Sequence, residues 1–200
     1  MKRAAEAGVQ VGIVIGGGNF WRGVKDGDGK VERVSADRMG MLATAMNCLA
    51  VADVFKQLGA DARVMTAVDI QGVGERYDTR RAIEYLQKGK VVLFGCGTGM
   101  PFFSTDTAAV LRAAEIHADA ILLAKNIDGV YSDDPRKNPD AKKFDAISYD
   151  EVLARHLAVM DTTATSLAMD NRIPVEVFAL AEPDNILRVL RGEKIGTSVS

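Results

Sequence analysis

Short β-branched runs alternate along the chain with longer amphipathic segments. Five apolar runs read as strands: 9–15 (VQVGIVI), 62–68 (ARVMTAV), 90–94 (KVVLF), 119–123 (DAILL) and 174–178 (PVEVF). Their apolar continuity is what strands covered on both faces require, as central strands of a parallel sheet are. Between them a long helix is predicted over 35–58, with Ser35 as its N-cap. Met39, Leu42, Met46 and Leu49 recur at helical spacing and predict the stripe this helix turns to the core. Shorter helices are predicted at Thr79–Gln87, 106–116, 149–157, 163–171 and 183–191. This order of elements predicts an α/β fold of βα units around a mostly parallel sheet.

Residues 24–30 (VKDGDGK) and 133–143 (DDPRKNPDAKK) are polar and read as surface loops, either lids or plain solvated connections. Residues 2–8 resemble the last turns of a helix whose beginning is not part of the chain. No repeat or linker interrupts the pattern, so a single domain over 1–200 is expected, and 200 residues suffice for its core.

Composition changes this picture little, since 48% apolar and 26% charged residues describe an ordinary globular protein. The formal net charge of −2 gives no strong basic field, so neither nucleic acid nor an anionic membrane is expected as a partner. An anionic substrate must then be held by local groups. No uninterrupted apolar run approaches the roughly 18 residues of a membrane span, and the opening MKRAAEAGVQ lacks the apolar core of a signal peptide. Cys48 and Cys96 stand in no metal-ligand spacing and read as two reduced thiols of a cytoplasmic enzyme.

Three segments carry candidate chemistry, each following a predicted strand. Gly16, Gly17, Gly18 and Asn19 let backbone N–H groups approach a phosphate, and Arg22 can add a guanidinium fork. A tight turn with a surface arginine fits the same residues. The segment is neither a Walker A loop nor Gly-x-Gly-x-x-Gly, because Trp21 holds the third glycine's place. Residues 95–106 (GCGTGMPFFSTD) combine glycines, hydroxyls and a helix N-terminus, a ready anion site. In the alternative, Thr105 or Asp106 is a simple N-cap and Phe102 and Phe103 are core. In 125–135 (KNIDGVYSDDP), Tyr131 suits packing near a purine, and Asp133 and Asp134 suit Mg²⁺ or a ribose, or form a solvated acidic turn.

The succession GGGNFWRG, DRMGMLAT, GTGMPFFSTDTAA, KNIDGVYSDDP and VMD resembles the ordered motifs of bacterial UMP kinases, within the amino acid kinase superfamily. The resemblance runs from Gly8 to the C-terminus. It implies a three-layer αβα sandwich, a homohexamer, and transfer of the γ-phosphoryl of ATP, with Mg²⁺, to UMP. By position it implies a UMP site of Gly17, Asp37, Thr98, Gly99, Met100, Pro101, Phe102, Phe103, Ser104 and Thr105, with Asp37 holding the ribose. The implied ATP site is Gly18, Arg22, Asn126, Tyr131 and Asp134. Arg22, Asp106 and Asp161 are the implied catalytic residues, the two aspartates as organisers of basic groups or Mg²⁺, and no dedicated metal site is implied. Met100 stands where the family usually has Asn. The family also begins with a strand and a Lys-x-Ser-Gly-Glu loop whose lysine holds the migrating phosphoryl group. The sequence starts after that point, either from a misassigned start or as a true fragment, and the segment implicated in GTP activation is absent too. Poor turnover of UMP is therefore expected from these 200 residues alone.

The nucleophile in such a reaction is a phosphate oxygen whose second pKa is about 6, so no general base is needed. His117 and His156 lie in no motif and are expected to be structural or superficial. Two other classes fit the glycine loops: a kinase of a carboxylate substrate, and a non-catalytic nucleotide-binding fragment. Asp37 and the hydroxyl-rich 98–105 segment favour a nucleotide acceptor over an acid.

Overall fold

The computed structural model describes residues 1–22 and 30–200, so the loop expected over 24–30 lies, but for Lys30, outside the described residues. The chain forms two compact units, residues 1–112 and 113–200. Every predicted strand and helix is present, with ends moved by up to three residues.

The first unit contains α1 (Lys2–Glu6), β1 (Gly12–Val14), α2 (Arg33–Gln57), β2 (Ala62–Thr66), β3 (Glu75–Arg76), α3 (Thr79–Gln87), β4 (Val91–Gly95) and α4 (Thr105–Glu115), whose last turn crosses the division. Its sheet has the order β1–β4–β2–β3 and is parallel throughout. Leu93 pairs in register with Ile13 on one side and Val64 on the other. All five residues of β4 are buried, as its apolar run requires of a central strand.

Helix α2 packs on β4 and β2, but not through the expected stripe. Met39, Leu42, Met46 and Leu49 are 41, 50, 51 and 42% exposed, while Ala36, Ala43, Thr44, Ala45, Cys48 and Phe55 are buried. The reason is the closeness of helix and sheet. A Cβ placed on Gly95 would lie 3.4 Å from the Ala45 Cα and 3.6 Å from the Cys48 Sγ, so only small residues fit between them. The large side chains are forced outward, and hydrophobic spacing alone chose the wrong face. The N-terminus also differs: Glu32 occupies the N-cap position and Ser35 lies within the helix. Among the described residues α2 is the one helix long and apolar enough, by length and composition, to cross a membrane; its packing on the sheet accounts for part of that apolar character.

The second unit contains β5 (Ile121–Lys125), β6 (Ala146–Ile147), α5 (Tyr149–Ala154), α6 (Thr162–Asp170), β7 (Val175–Ala179), α7 (Asn185–Leu190) and β8 (Thr197–Val199). The order of its sheet is β5–β7–β8–β6, with β7 and β8 antiparallel and the other pairs parallel. Strands β3, β6 and β8 were not predicted, because two or three residues are too few to show a period.

Strand β8 is pinned at its first residue. Thr197 is fully buried; its Oγ1 accepts from the Val130 N–H at 2.8 Å and donates to the Phe144 carbonyl. Gly196 precedes it where a Cβ would lie 1.9 Å from the Val177 carbonyl oxygen, so no larger residue fits. Thr197→Val keeps the shape and removes both bonds, leaving the Val130 N–H buried without its partner. It is expected to lower stability by about 1–3 kcal/mol, measured as a shift of the urea unfolding midpoint at constant slope.

Candidate functional site

The carboxyl ends of β1 and β4 meet the N-terminal half of α2 in an open cleft of about 330 Å³. That is at the small end of the range for ligand pockets, roughly 300–1,000 Å³. Of the expected residues, Gly17, Gly18, Arg22, Asp37, Thr98, Met100, Phe103, Ser104 and Thr105 line it, joined by Trp21, Gly40, Met41, Thr44, Cys96 and Gly97.

The glycine loop after β1 is held against α2. A Cβ on Gly17 would stand 2.7 Å from the Gly40 carbonyl oxygen and 2.8 Å from the Ala43 Cβ, a contact that no side chain tolerates. Four side chains secure this approach. The Trp21 indole N–H donates to the Ala36 carbonyl at 2.9 Å. The Asn47 amide donates to the Gly16 carbonyl at 2.7 Å, and Asn47 and Asn19 exchange hydrogen bonds at 3.1 and 2.8 Å. Arg22 curls back so that its Nε donates to the Gly18 carbonyl at 3.0 Å.

The loop from β4 into α4 forms the opposite wall. Cys96 and Phe102 hold φ of +66° and +71°, and Gly97 and Gly99 +59° and +82°. For residues with a side chain this left-handed region costs about 1–2 kcal/mol each, so the loop persists only where its surroundings impose it. Thr44 on α2 accepts the Cys96 N–H at 2.7 Å, and Asp37 accepts the Phe102 N–H at 2.8 Å. Arg33, one turn earlier on α2, donates to both Asp37 oxygens at 2.9 and 2.8 Å, and its guanidinium lies 5.2 Å from the Phe102 ring centroid. Phe102 and Phe103 are exposed, not core. Ser104 is the helix cap here, its Oγ accepting the Thr107 N–H at 3.0 Å, rather than Thr105 or Asp106. The N-terminus of α4 therefore opens on the cleft beside Ser104 and Thr105, with Asp106 in its first turn. Gly99 lines an adjoining cleft, and Pro101 and Phe102 line neither.

The remaining expected residues belong to the second unit. Exposed Asn126 follows directly after β5. Tyr131 donates to Asp128 at 2.8 Å, and Lys143 bonds the other Asp128 oxygen at 3.1 Å. Burial pushes the Asp128 carboxyl up, but these two hydrogen bonds outweigh it and leave it below its ordinary value. Asp134 accepts from the backbone and the guanidinium of Arg136, and the guanidinium bond holds its carboxyl low. Asp161 caps α6, accepting the Ala164 N–H at 3.0 Å. His117 and His156 are exposed, at φ of +55° and +51° just beyond the ends of α4 and α5, the αL position that closes helices.

Sequence reasoning assigned no role to Trp21, Gly40, Thr44 or Asn47. The signal was present for Gly40 and Thr44, inside the same DRMGMLAT segment as Asp37. What it lacked was the identity of the groups they meet, Gly17 and Cys96, far away in sequence.

A profile of the Amino acid kinase family matches residues 1–179. Uridylate kinases of two Streptococcus thermophilus strains are each 55% identical over 197 residues, covering 98% of this chain and 80% of the relative. Among solved structures, the UMP kinase of Bacillus anthracis matches with a TM-score of 0.95 at 38% identity, covering 100% of this chain and 83% of that one. The UMP kinase of Ureaplasma parvum matches with 0.94 at 36%, covering 100% and 85%.

Cys96, in the cleft wall, and Cys48 on α2 are both buried and reduced. Burial first, and Cys96 second, push the Cys48 thiol up to about 12, and burial also raises Cys96. Both should resist alkylation at pH 8 in the folded protein and react once urea unfolds it. The linkage has one sign. A thiol near 8.5 in the unfolded chain loses its proton before the folded one does, so the thiols' contribution to stability is constant below about pH 8.5 and falls above it. Urea midpoints between pH 7 and 10 should show that decline, and Cys48→Ala should make it shallower.

Proposed function

The chain belongs to the amino acid kinase family, and from that premise we propose the division of labour in a transfer of the γ-phosphoryl of ATP to UMP, giving UDP. The observation that carries it is the meeting of Gly17, Asp37 and, from the 98–105 loop, Thr98, Met100, Phe103, Ser104 and Thr105 in one cleft, with Asp37 tied to that loop by the Phe102 N–H. A carboxylate accepts through two oxygens at once, which suits the paired hydroxyls of a ribose. Hydroxyls of Thr98, Ser104 and Thr105 and the N-terminus of α4 suit the rest of an anionic nucleotide. We assign Gly17, Asp37 and Thr98, Gly99, Met100, Pro101, Phe102, Phe103, Ser104 and Thr105 to UMP, and Gly18, Arg22, Asn126, Tyr131 and Asp134 to ATP.

The chemistry asks for position and charge rather than a base. The UMP phosphate is largely ionised at neutral pH, because its second pKa is about 6. Arg22 then neutralises charge on the migrating group, and helix N-H groups stabilise it without reorganising. Mg²⁺ belongs with ATP, where it neutralises the phosphate oxygens. Among the described residues no three metal-ligating side chains converge, a donor set that fits an ion carried mainly by the nucleotide's own oxygens. Asp106, in the first turn of α4, and Asp161 are assigned as organisers of nearby basic groups or of that ion. Two buried, reduced thiols suit the cytoplasm.

Self-association, as a homohexamer, is also part of this reading. Met39, Leu42, Met46 and Leu49 present an exposed apolar row on one face of α2, and a second copy of the chain is the occupant proposed for it. Leu42→Glu with Met46→Glu should shift the mass seen by light scattering to a smaller species while leaving the far-ultraviolet circular dichroism unchanged. An unaltered mass would remove α2 from the interface.

The acceptor is tested by titration calorimetry on this chain with UMP, aspartate and glutamate, and by chromatographic detection of UDP. UMP alone should bind. Asp37→Asn keeps an oxygen for the Phe102 N–H but loses the charge. It should weaken UMP by roughly ten- to a hundred-fold, the equivalent of about 1.5–3 kcal/mol for a charged hydrogen bond, with little change for ATP. Weakened ATP with unchanged UMP would reverse the two assignments.

A further inference from the structure

Residues 98–100 separate the acceptor cleft from a second one of about 490 Å³, since Thr98 and Met100 line both. Arg112 lines only the second. Its residue is 5% exposed, an unusual depth for a guanidinium. The group lies 3.8 Å from the Tyr77 ring centroid and donates to the Gly97 carbonyl at 3.3 Å. A cation over an aromatic face is partly compensated for its lost water, and a planar guanidinium stacks as a lysine cannot. Tyr77 is itself fixed. It meets Phe94 of β4 edge to face at 5.7 Å, donates its N–H to the Thr66 carbonyl, and shares a hydrogen bond with Thr79.

We infer that Arg112 is a positioning residue for the acceptor nucleotide, holding the Gly97 carbonyl so that Thr98 faces the UMP cleft; this rests on the reading of 98–105 as the acceptor loop. The ties to Thr44 and Asp37 reach that loop from α2, at Cys96 and Phe102. Gly97 lies between them, in the left-handed stretch that begins at Cys96. The helix that supplies Arg112 also backs the turn, since a Cβ on Gly97 would stand 3.9 Å from the Ala108 Cβ, four residues before Arg112 and so on the same face of α4. Arg112 thus ties the turn that follows Cys96, whose own positive φ is unfavourable, to the β4 strand through Tyr77 and Phe94. Its loss should turn Thr98 away from the nucleotide while leaving Asp37, Gly17 and the ATP residues in place.

Four variants test this: Arg112→Met, Arg112→Lys, Tyr77→Leu, and Thr197→Val as a destabilised control in the second unit. UMP and ATP affinities are measured by calorimetry and stability by urea unfolding. Arg112→Met should weaken UMP about ten-fold, the loss expected for one charge-assisted hydrogen bond, and ATP by less than about two-fold. Arg112→Lys should recover part of the UMP affinity, and Tyr77→Leu should weaken UMP without adding to Arg112→Met in the double variant. Thr197→Val should lose stability but keep its UMP affinity. Folded Arg112→Met with unchanged UMP affinity, or with UMP and ATP weakened alike, would overturn the inference. Should Arg112→Met not fold, unchanged UMP affinity in both Arg112→Lys and Tyr77→Leu overturns it equally. Failure of the unsubstituted chain to bind UMP is a separate result and would overturn the acceptor-site reading itself.

Discussion

Helix α2 runs so close to the end of β1 that residue 17 has no room for a Cβ, the Gly40 carbonyl oxygen standing 2.7 Å from where it would lie. Most of the first unit's cleft follows from this approach. It brings the Gly16–Asn19 turn within reach of Asn47 and the Trp21 indole within reach of Ala36. It places Asp37 and Thr44 opposite the loop leaving β4, where each accepts a backbone N–H. The same closeness limits the inner face of α2 mainly to Ala, Thr and Cys and sends its methionines and leucines outward. Close packing and an exposed apolar row are therefore two results of one constraint.

The loop from β4 to α4 shows the opposite economy. Its left-handed residues with side chains, Cys96 and Phe102, are unfavourable by themselves, and the surrounding elements hold the loop through hydrogen bonds to the backbone of Cys96, Gly97 and Phe102. Such a loop exposes hydroxyls and amides in one arrangement before any ligand arrives, which reduces the ordering cost of binding. Asp37 works on both sides of this balance. It fixes Phe102 and is itself oriented by Arg33, so one carboxylate joins the start of α2 to the loop across the cleft. With a net charge of only −2 the chain has no strong global field to gather an anionic substrate, so that work falls to local groups.

Strands such as Val91–Gly95 were legible in the sequence because an unbroken apolar run of that length fits few other environments. The two glycine turns and the start of a helix near residue 105, though not its Ser104 cap, were legible for a similar reason, since turn residues act over short distances. The DRMGMLAT segment marked Asp37 as chemistry through family resemblance. The purpose of Gly40 and Thr44 was not legible, because each is explained by a partner distant in the chain: Gly17 for one, the Cys96 N–H for the other.

By itself, then, the sequence determined the order and type of the longer elements, the positions of the glycine-rich turns and the membership of a kinase family. These depend on local periodicity, backbone freedom and motif order. Only the tertiary structure decided which face of α2 is buried, that Phe102 and Phe103 are exposed, and that Arg112 reaches Gly97 across Tyr77. Spacing of apolar residues shows that a helix has an apolar face. Which face meets the sheet depends on how near the sheet lies, and that distance is set by small residues on elements far apart in the chain.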